Sequence, residues 1–218
     1  MKIGIIGAGF VGREVGKAAV RNGHEVMLSN SRGPKSLYTW RSGTGCEVGT
    51  VNDAVTFGQI VIIGTPMDAY DTVPAEALEG KLVVDANNYH PLRDGPIEAL
   101  DKKETTVSEL LQKRIPKSRI VKAFNSIRME QFERDARPAD ATDRRAIPIA
   151  GDNAEDKRLV AKLIDEMGYD TVDAGALSEG WRFDHGSPVY CKTLSKSELA
   201  QQLKATRPED CIPGGGAR

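Results

Sequence analysis

Residues 2–6 (KIGII) form an apolar run that passes without a break into Gly7-Ala8-Gly9-Phe10-Val11-Gly12, and from there the chain keeps helical spacing through Arg21. A strand that turns on glycines straight into a helix opens a β-α-β unit. The rest of the chain repeats the alternation. Strands are expected at 2–6, 25–28, 60–64, 82–85, 120–124, 146–150 and 171–173, with a weaker one around 47–48. Most are continuously apolar, as strands covered on both faces are. Helices are expected at 11–21, 107–114 and 152–167. The first stops at Asn22-Gly23, and the last starts at an Asp/Asn cap and closes at Gly168. The order predicts an α/β fold, a doubly wound, mostly parallel sheet of the Rossmann type.

At 218 residues the chain has room for one such domain, residues 1–178, and a short C-terminal extension, residues 179–218. That extension reads as an aromatic loop, one helix over 196–205 introduced by Ser195, and a tail whose last dozen residues look frayed. Thirty basic residues against thirty-one acidic ones leave a net charge of -1. Neither nucleic acid nor an anionic membrane is therefore an expected partner. Cys46, Cys191 and Cys211 share no ligand spacing, and with three histidines no metal site is expected. Met1 leads directly into a strand, and the run 60–63 is far too short to span a bilayer. The expected location is a reducing cytoplasm.

Each glycine of the turn has a mechanical task. Gly7 permits the tight turn, Gly9 lets backbone approach a pyrophosphate, and Gly12 lets helix and strand pack closely. The amides of Ala8, Gly9, Phe10, Val11 and Gly12 then face the phosphates at a helix N-terminus. The end of the second strand selects the nucleotide. An NAD site places an acid there to grip the ribose hydroxyls. This chain reads Leu28-Ser29-Asn30-Ser31-Arg32-Gly33-Pro34-Lys35, with no acid. Asn30 and Ser31 followed by Arg32 and Lys35 suit a 2′-phosphate, which a carboxylate would repel. NADP(H) is the expected cofactor.

Ligands of a doubly wound sheet lie beyond the carboxyl ends of its strands. Those loops carry Thr65-Pro66, Asp85-Ala86-Asn87-Asn88 and Lys122-Ala123-Phe124-Asn125-Ser126. Thr65, Pro66, Asn87, Ala123 and Asn125 are candidate contacts to a ribose, carboxamide or ring edge. Asparagine is equally a turn former, and both readings stand for each of these. Phe124 reads as core and His90 as a loop histidine. No Ser/His/Asp, Cys/His or paired-carboxylate set points to hydrolysis, and no catalytic side chain is assigned.

The residues resemble the NADP oxidoreductases that use the deazaflavin coenzyme F-420, together with related dinucleotide-binding reductases. The matching segments are 3–12, 29–32, 62–66, 121–127 (VKAFNSI), 150–153 and 173–177. The resemblance implies a hydride passed between NADPH and a flavin-like ring, with F-420 or FMN as co-substrate. The NADPH-binding portion of membrane ferric reductases is similar too, so a ferric acceptor belongs in the same group. In such proteins the cofactors carry the chemistry and the protein aligns them. The segment 179–190 departs from the family pattern. Its Trp181, Phe183 and Tyr190 are candidates for one wall of the acceptor pocket or for a contact in a homodimer. Two other readings remain open, a non-catalytic NADP(H) sensor and a carbonyl or imine reductase completed by dimerisation.

Overall fold

The computed structural model describes residues 1–215. The first half of the chain runs β1 (Lys2–Ile6), α1 (Phe10–Arg21), β2 (Glu25–Ser29), α2 (Tyr38–Thr44), β3 (Glu47–Gly49), α3 (Val51–Phe57), β4 (Ile60–Ile63) and β5 (Leu82–Asp85). Two single turns follow, α4 (Pro91–Asp94) and α5 (Glu98–Asp101), then α6 (Val107–Arg114), β6 (Arg119–Lys122) and α7 (Met129–Phe132). The last part holds β7 (Ala146–Gly151), α8 (Ala154–Glu166), β8 (Asp170–Asp173) and α9 (Lys196–Ala205). Short 3-10 turns lie at Met67–Thr72, Leu177–Phe183 and Pro208–Asp210.

The strands form one sheet in the order β3-β2-β1-β4-β5-β6-β7-β8. From β3 to β6 every pairing is parallel, with Ile5 opposite Leu28 on one side and Ile62 on the other. β7 then runs antiparallel to β6 through two residue pairs, Val121 with Gly151 and Lys122 with Ala150, and β8 returns parallel to β7. This is the doubly wound, mostly parallel sheet that the sequence predicts.

Side chains alternate along each strand, so each apolar run feeds two cores. Ile3, Ile5, Ile60, Ile62, Leu82 and Val84 pack with Val15 and Ala19 of α1 and Val160, Leu163 and Ile164 of α8. Ile6, Val61, Ile63 and Val83 point the other way, toward Val55 of α3 and Val107 and Leu111 of α6. A third cluster seats Phe183, Val189, Leu199 and Leu203 against Ala146 and Ala150 of β7. The C-terminal extension therefore packs on the antiparallel end of the sheet.

The tail departs from the frayed reading. Lys103 Nζ donates to the carbonyls of Pro208 at 2.6 Å and Cys211 at 2.9 Å, and Ile212 N–H donates to Gly186 O at 3.1 Å. A side chain on Gly214 would meet Pro91 at 2.0 Å, and one on Gly215 would meet the His185 ring at 2.3 Å. The glycines that looked like disorder let the segment lie this close. The end of the expected frayed tail, 216–218, lies outside the described residues. Among the described residues no helix is long and apolar enough to cross a membrane.

Candidate functional site

At the head of α1 the three glycines behave differently. Gly7 has a φ of 109°, and a Cβ there would stand 2.3 Å from Gly64 O, so both the turn and the approach of β4 require glycine. A Cβ on Gly12 would stand 2.0 Å from Gly7 O, where helix meets turn. A Cβ on Gly9 would meet nothing within 4 Å. Gly9 has no neighbour in the protein to make way for, and the space beside it suits a ligand.

The N-terminus of α1 is also left open. α3, α6 and α9 each close theirs with a capping box, from Thr50–Asp53, Thr106–Glu109 and Ser195–Glu198, and Asn153 caps α8. α1 has no side-chain cap and no acid in its first turn. Its first N–H groups and its positive dipole end are available to an anion.

Beyond β2, Ser29 is buried and spends its hydroxyl on Ile5 O at 2.7 Å, so it shapes the strand end. Asn30 Oδ1 accepts from Arg32 N–H at 3.0 Å and its Nδ2 donates to Ser36 Oγ, which curls the loop around Gly33. Asn30 thus organises the loop, and Ser31, Arg32 and Lys35 stand exposed on it. Neither Arg32 nor Lys35 forms a salt bridge among the described residues. Phe10 is exposed at the head of α1, and Arg13 lies 3.9 Å over the Trp40 ring beside it.

The loops beyond β4, β5 and β6 hold a different set. Thr65 Oγ1 is buried without a partner, next to Pro66, which is exposed. Asn87 is buried and turns its Nδ2 to Asp85 Oδ1 at 2.8 Å, while Ser108 Oγ donates to Asp85 Oδ2 at 2.6 Å. Asn125 Nδ2 donates to Asn88 Oδ1 at 3.0 Å and to Phe183 O at 3.1 Å, whereas its Oδ1 is buried with no partner. Both carboxamides were candidate contacts to a ligand. Their donors serve the loops, while the side-chain oxygens of both accept no hydrogen bond among the described residues, and that of Asn125 is buried. Ala123 is fully buried, and Phe124 joins the core with a φ of 63°, turning the chain sharply out of β6.

Two groups escaped the sequence reading. Lys122 on β6 is fully buried, opposite Asp85 in the register. Its Nζ donates to Asn87 O at 3.1 Å and pairs with Asp184 Oδ1 at 2.7 Å. Burial raises the Asp184 carboxyl above the usual carboxylate range, against the pull of the Lys122 charge. The second group is a pair of histidines. The His90 and His185 rings lie 4.1 Å apart, and Tyr190 meets His185 edge-on at 4.9 Å. Burial, then the neighbouring His185, lowers His90 below the ordinary histidine value. A cavity of about 360 Å³ opens beside them, lined by Tyr89, Leu100, Val107, Trp181, His185 and Cys211 among others. The sequence offered one signal for Lys122, a charge inside an otherwise apolar strand. For a pair built from positions 90 and 185 it offered none.

A parallel sheet with a glycine turn at the end of β1, running into an uncapped helix, defines a dinucleotide-binding protein of the Rossmann type. Within that class, residues 2–89 match the model of the family described as NADP oxidoreductase, coenzyme F-420-dependent. The resemblance carried by the motifs is thus borne out over that segment. Among solved structures the chain is similar to the hypothetical protein SMa0349 of Sinorhizobium meliloti, with 27% identity, a TM-score of 0.76, and coverage of 90% of this chain and 95% of that one. It is also similar to a proposed F-420-dependent NADP reductase from an Arthrobacter species, with 25% identity, a TM-score of 0.68, and coverage of 81% and 85%. A curated relative, the Escherichia coli protein YjhV, is 32% identical over 54 residues, which is 25% of this chain and 39% of that protein. These likenesses support an NADP-dependent oxidoreductase in general.

Proposed function

We propose that the protein passes a hydride between NADPH and a flavin-like acceptor, with deazaflavin F-420 and FMN as the acceptors to try first. The observation that carries the nucleotide half is the open space at Gly9 above the uncapped head of α1, continued by an acid-free, basic loop after β2. The residues present fit the dinucleotide. Main-chain N–H groups of residues 8–12 would hold the pyrophosphate, and Ser31, Arg32 and Lys35 the 2′-phosphate. Thr65 and Asn125 each bring an uncommitted buried oxygen to the strand ends, where they would orient the nicotinamide and ribose. When bound, NADPH supplies the hydride. The protein contributes alignment, and holding reactants in register supplies much of the acceleration available to such a transfer.

Arg32→Ala is the test of the nucleotide half. Loss of a charge-assisted contact costs about 1.5–3 kcal/mol, or roughly ten- to a hundredfold in affinity. Calorimetry should show NADPH weakened by that factor and NADH unchanged. Equal weakening of both would remove the assignment. Oxidation of NADPH by the purified protein, offered F-420, FMN or a ferric chelate in turn, tests the acceptor half.

A further inference from the structure

The three histidines of this chain are housed in two ways. His24 has both ring nitrogens engaged, Nδ1 with the Met1 amino group at 3.1 Å and Nε2 with Glu166 at 3.0 Å. His90 and His185 make hydrogen bonds through their backbone alone, their N–H groups donating to Asp94 Oδ2 and Asn88 Oδ1. Among the described residues none of their four ring nitrogens has a hydrogen-bond partner, and the Nδ1 of His185 is buried as well. A buried imidazole nitrogen left bare is costly unless another molecule completes it. His185 also lines the cavity described above, and its ring position is set from both sides. The segment 212–215 closes over it, and Asn88, at the end of β5, holds its backbone. Asn88 in turn bonds to Asn125 at the end of β6. The pair is thus tied to the loops where a nicotinamide lies in a sheet of this type.

We propose that this cavity receives the acceptor and that His185, backed by His90, exchanges with it the proton that accompanies the hydride. The proposal rests on the hydride-transfer reading above and deepens it by naming the cavity that takes the acceptor and the side chain that handles its proton. In the reductive direction a C–H bond of NADPH breaks and its electron pair carries the hydrogen to the acceptor ring, forming a new C–H bond on a deazaflavin or a new N–H bond on FMN. A ring nitrogen of the acceptor takes the proton from the His185 imidazolium, whose N–H bond breaks. His185 is left neutral and regains a proton from His90 or solvent. NADPH, acceptor and one proton become NADP and the two-hydrogen-reduced acceptor. A ferric ion takes one electron and no proton, so the geometry favours a planar nitrogen heteroaromatic over iron. Tyr89, Leu100, Val107 and Trp181 give such a ring apolar walls. The volume falls within the range of small-molecule pockets, roughly 300–1,000 Å³.

The charged and titratable groups facing the pair are Asp184 with Lys122 behind it, Tyr190, Arg93, Asp94 and, around the cavity, Tyr89, Cys211, Lys103, Glu104, Glu109 and Glu179. Single-turnover oxidation of saturating NADPH by F-420, and separately by FMN, should fall as pH rises from 5.5 to 8.5, because the transfer consumes a proton. The reverse reaction should rise. His185→Gln should slow the reaction on the order of a hundredfold at pH 7, with NADPH affinity unchanged, and should flatten the profile. His185→Ala should recover with millimolar imidazole. An independent reading comes from nitrogen NMR of the histidine rings. Adding F-420 or FMN to the NADP-bound protein should shift the His90 and His185 signals and leave His24 in place. A His185→Gln protein at the wild-type rate, or one that is slower with an unchanged pH profile, would overturn the proton role alone. Ring signals that ignore both acceptors would overturn the cavity assignment. A wild-type protein that binds NADPH and passes nothing to either probe would overturn this inference and the hydride-transfer reading together.

Discussion

Gly9 and Gly12 lie three residues apart in one motif, yet substitution should fail at them for opposite reasons. At Gly9 the fold has room and the ligand does not, so Gly9→Val should melt with the wild type and bind no NADPH. At Gly12 a single methyl group meets a backbone oxygen at 2.0 Å, and overpacking of that kind costs about 1–3 kcal/mol. Gly12→Ala should therefore lower the melting temperature by several degrees, at roughly 2–4 °C per kcal/mol for a chain of this size. Scanning calorimetry on the two variants separates these outcomes. A destabilised Gly9→Val would mean that the space beside Gly9 serves packing. His90 gives a second residue-level expectation. Its proton affinity is lowered in the fold, so the unfolded chain binds the proton more tightly and acid favours unfolding. Its contribution is complete above the ordinary histidine value of about 6.5 and is lost as pH falls through the lower folded value. Chemical denaturation across pH 5–8 should show less of that slope in His90→Gln.

Among the elements, β6 is the one whose sequence conflicts with its place. It lies near the middle of the sheet and buries a lysine whole. Removing one member of a buried pair strands the other, at about 3–5 kcal/mol. Lys122→Met should therefore cost that much in urea unfolding, since it deprives both Asp184 and Asn87 O. The double variant Lys122→Met with Asp184→Leu should cost less than the single one. Equal costs would mean that the pair contributes only bulk. The other elements show how much was legible from the sequence. Apolar runs bounded by turn residues marked every strand to within about two residues, because strands buried on both faces carry no competing polar pattern. α1, α6, α8 and α9 were readable from spacing and caps. α2 and α3 were not, since seven residues span barely two turns and leave no period to detect. The glycine turn and the basic loop were visible because their residues are neighbours in sequence. Asn87 and Asn125 were ambiguous, because an amide that braces a loop and one that faces a ligand are written with the same letter. The pair His90–His185 depends on a fold that brings together positions 95 residues apart, and spacing carries nothing of that kind.

For the whole molecule, the sheet divides the work. β1 to β5 carry the turn, the basic loop and Thr65, while the wall of the cavity that holds Asp184 and His185 comes from beyond β8. The two portions of sheet meet at β6–β7, across two residue pairs, where the strand direction also reverses. So narrow a seam has a consequence in time as well as space. Amide groups of β7 and β8 should exchange with solvent deuterium as a block, at a lower free energy than those of β1, β4 and β5, because subglobal openings follow the weakest boundary between cooperative units. Uniform protection across all eight strands would contradict this. Each such opening would lift Asp184 away from Lys122 and His185 away from Asn88, while the turn at Gly7–Gly12 stayed closed. Breathing at the seam would then set how often the acceptor side is exposed, independently of how long the nucleotide stays bound.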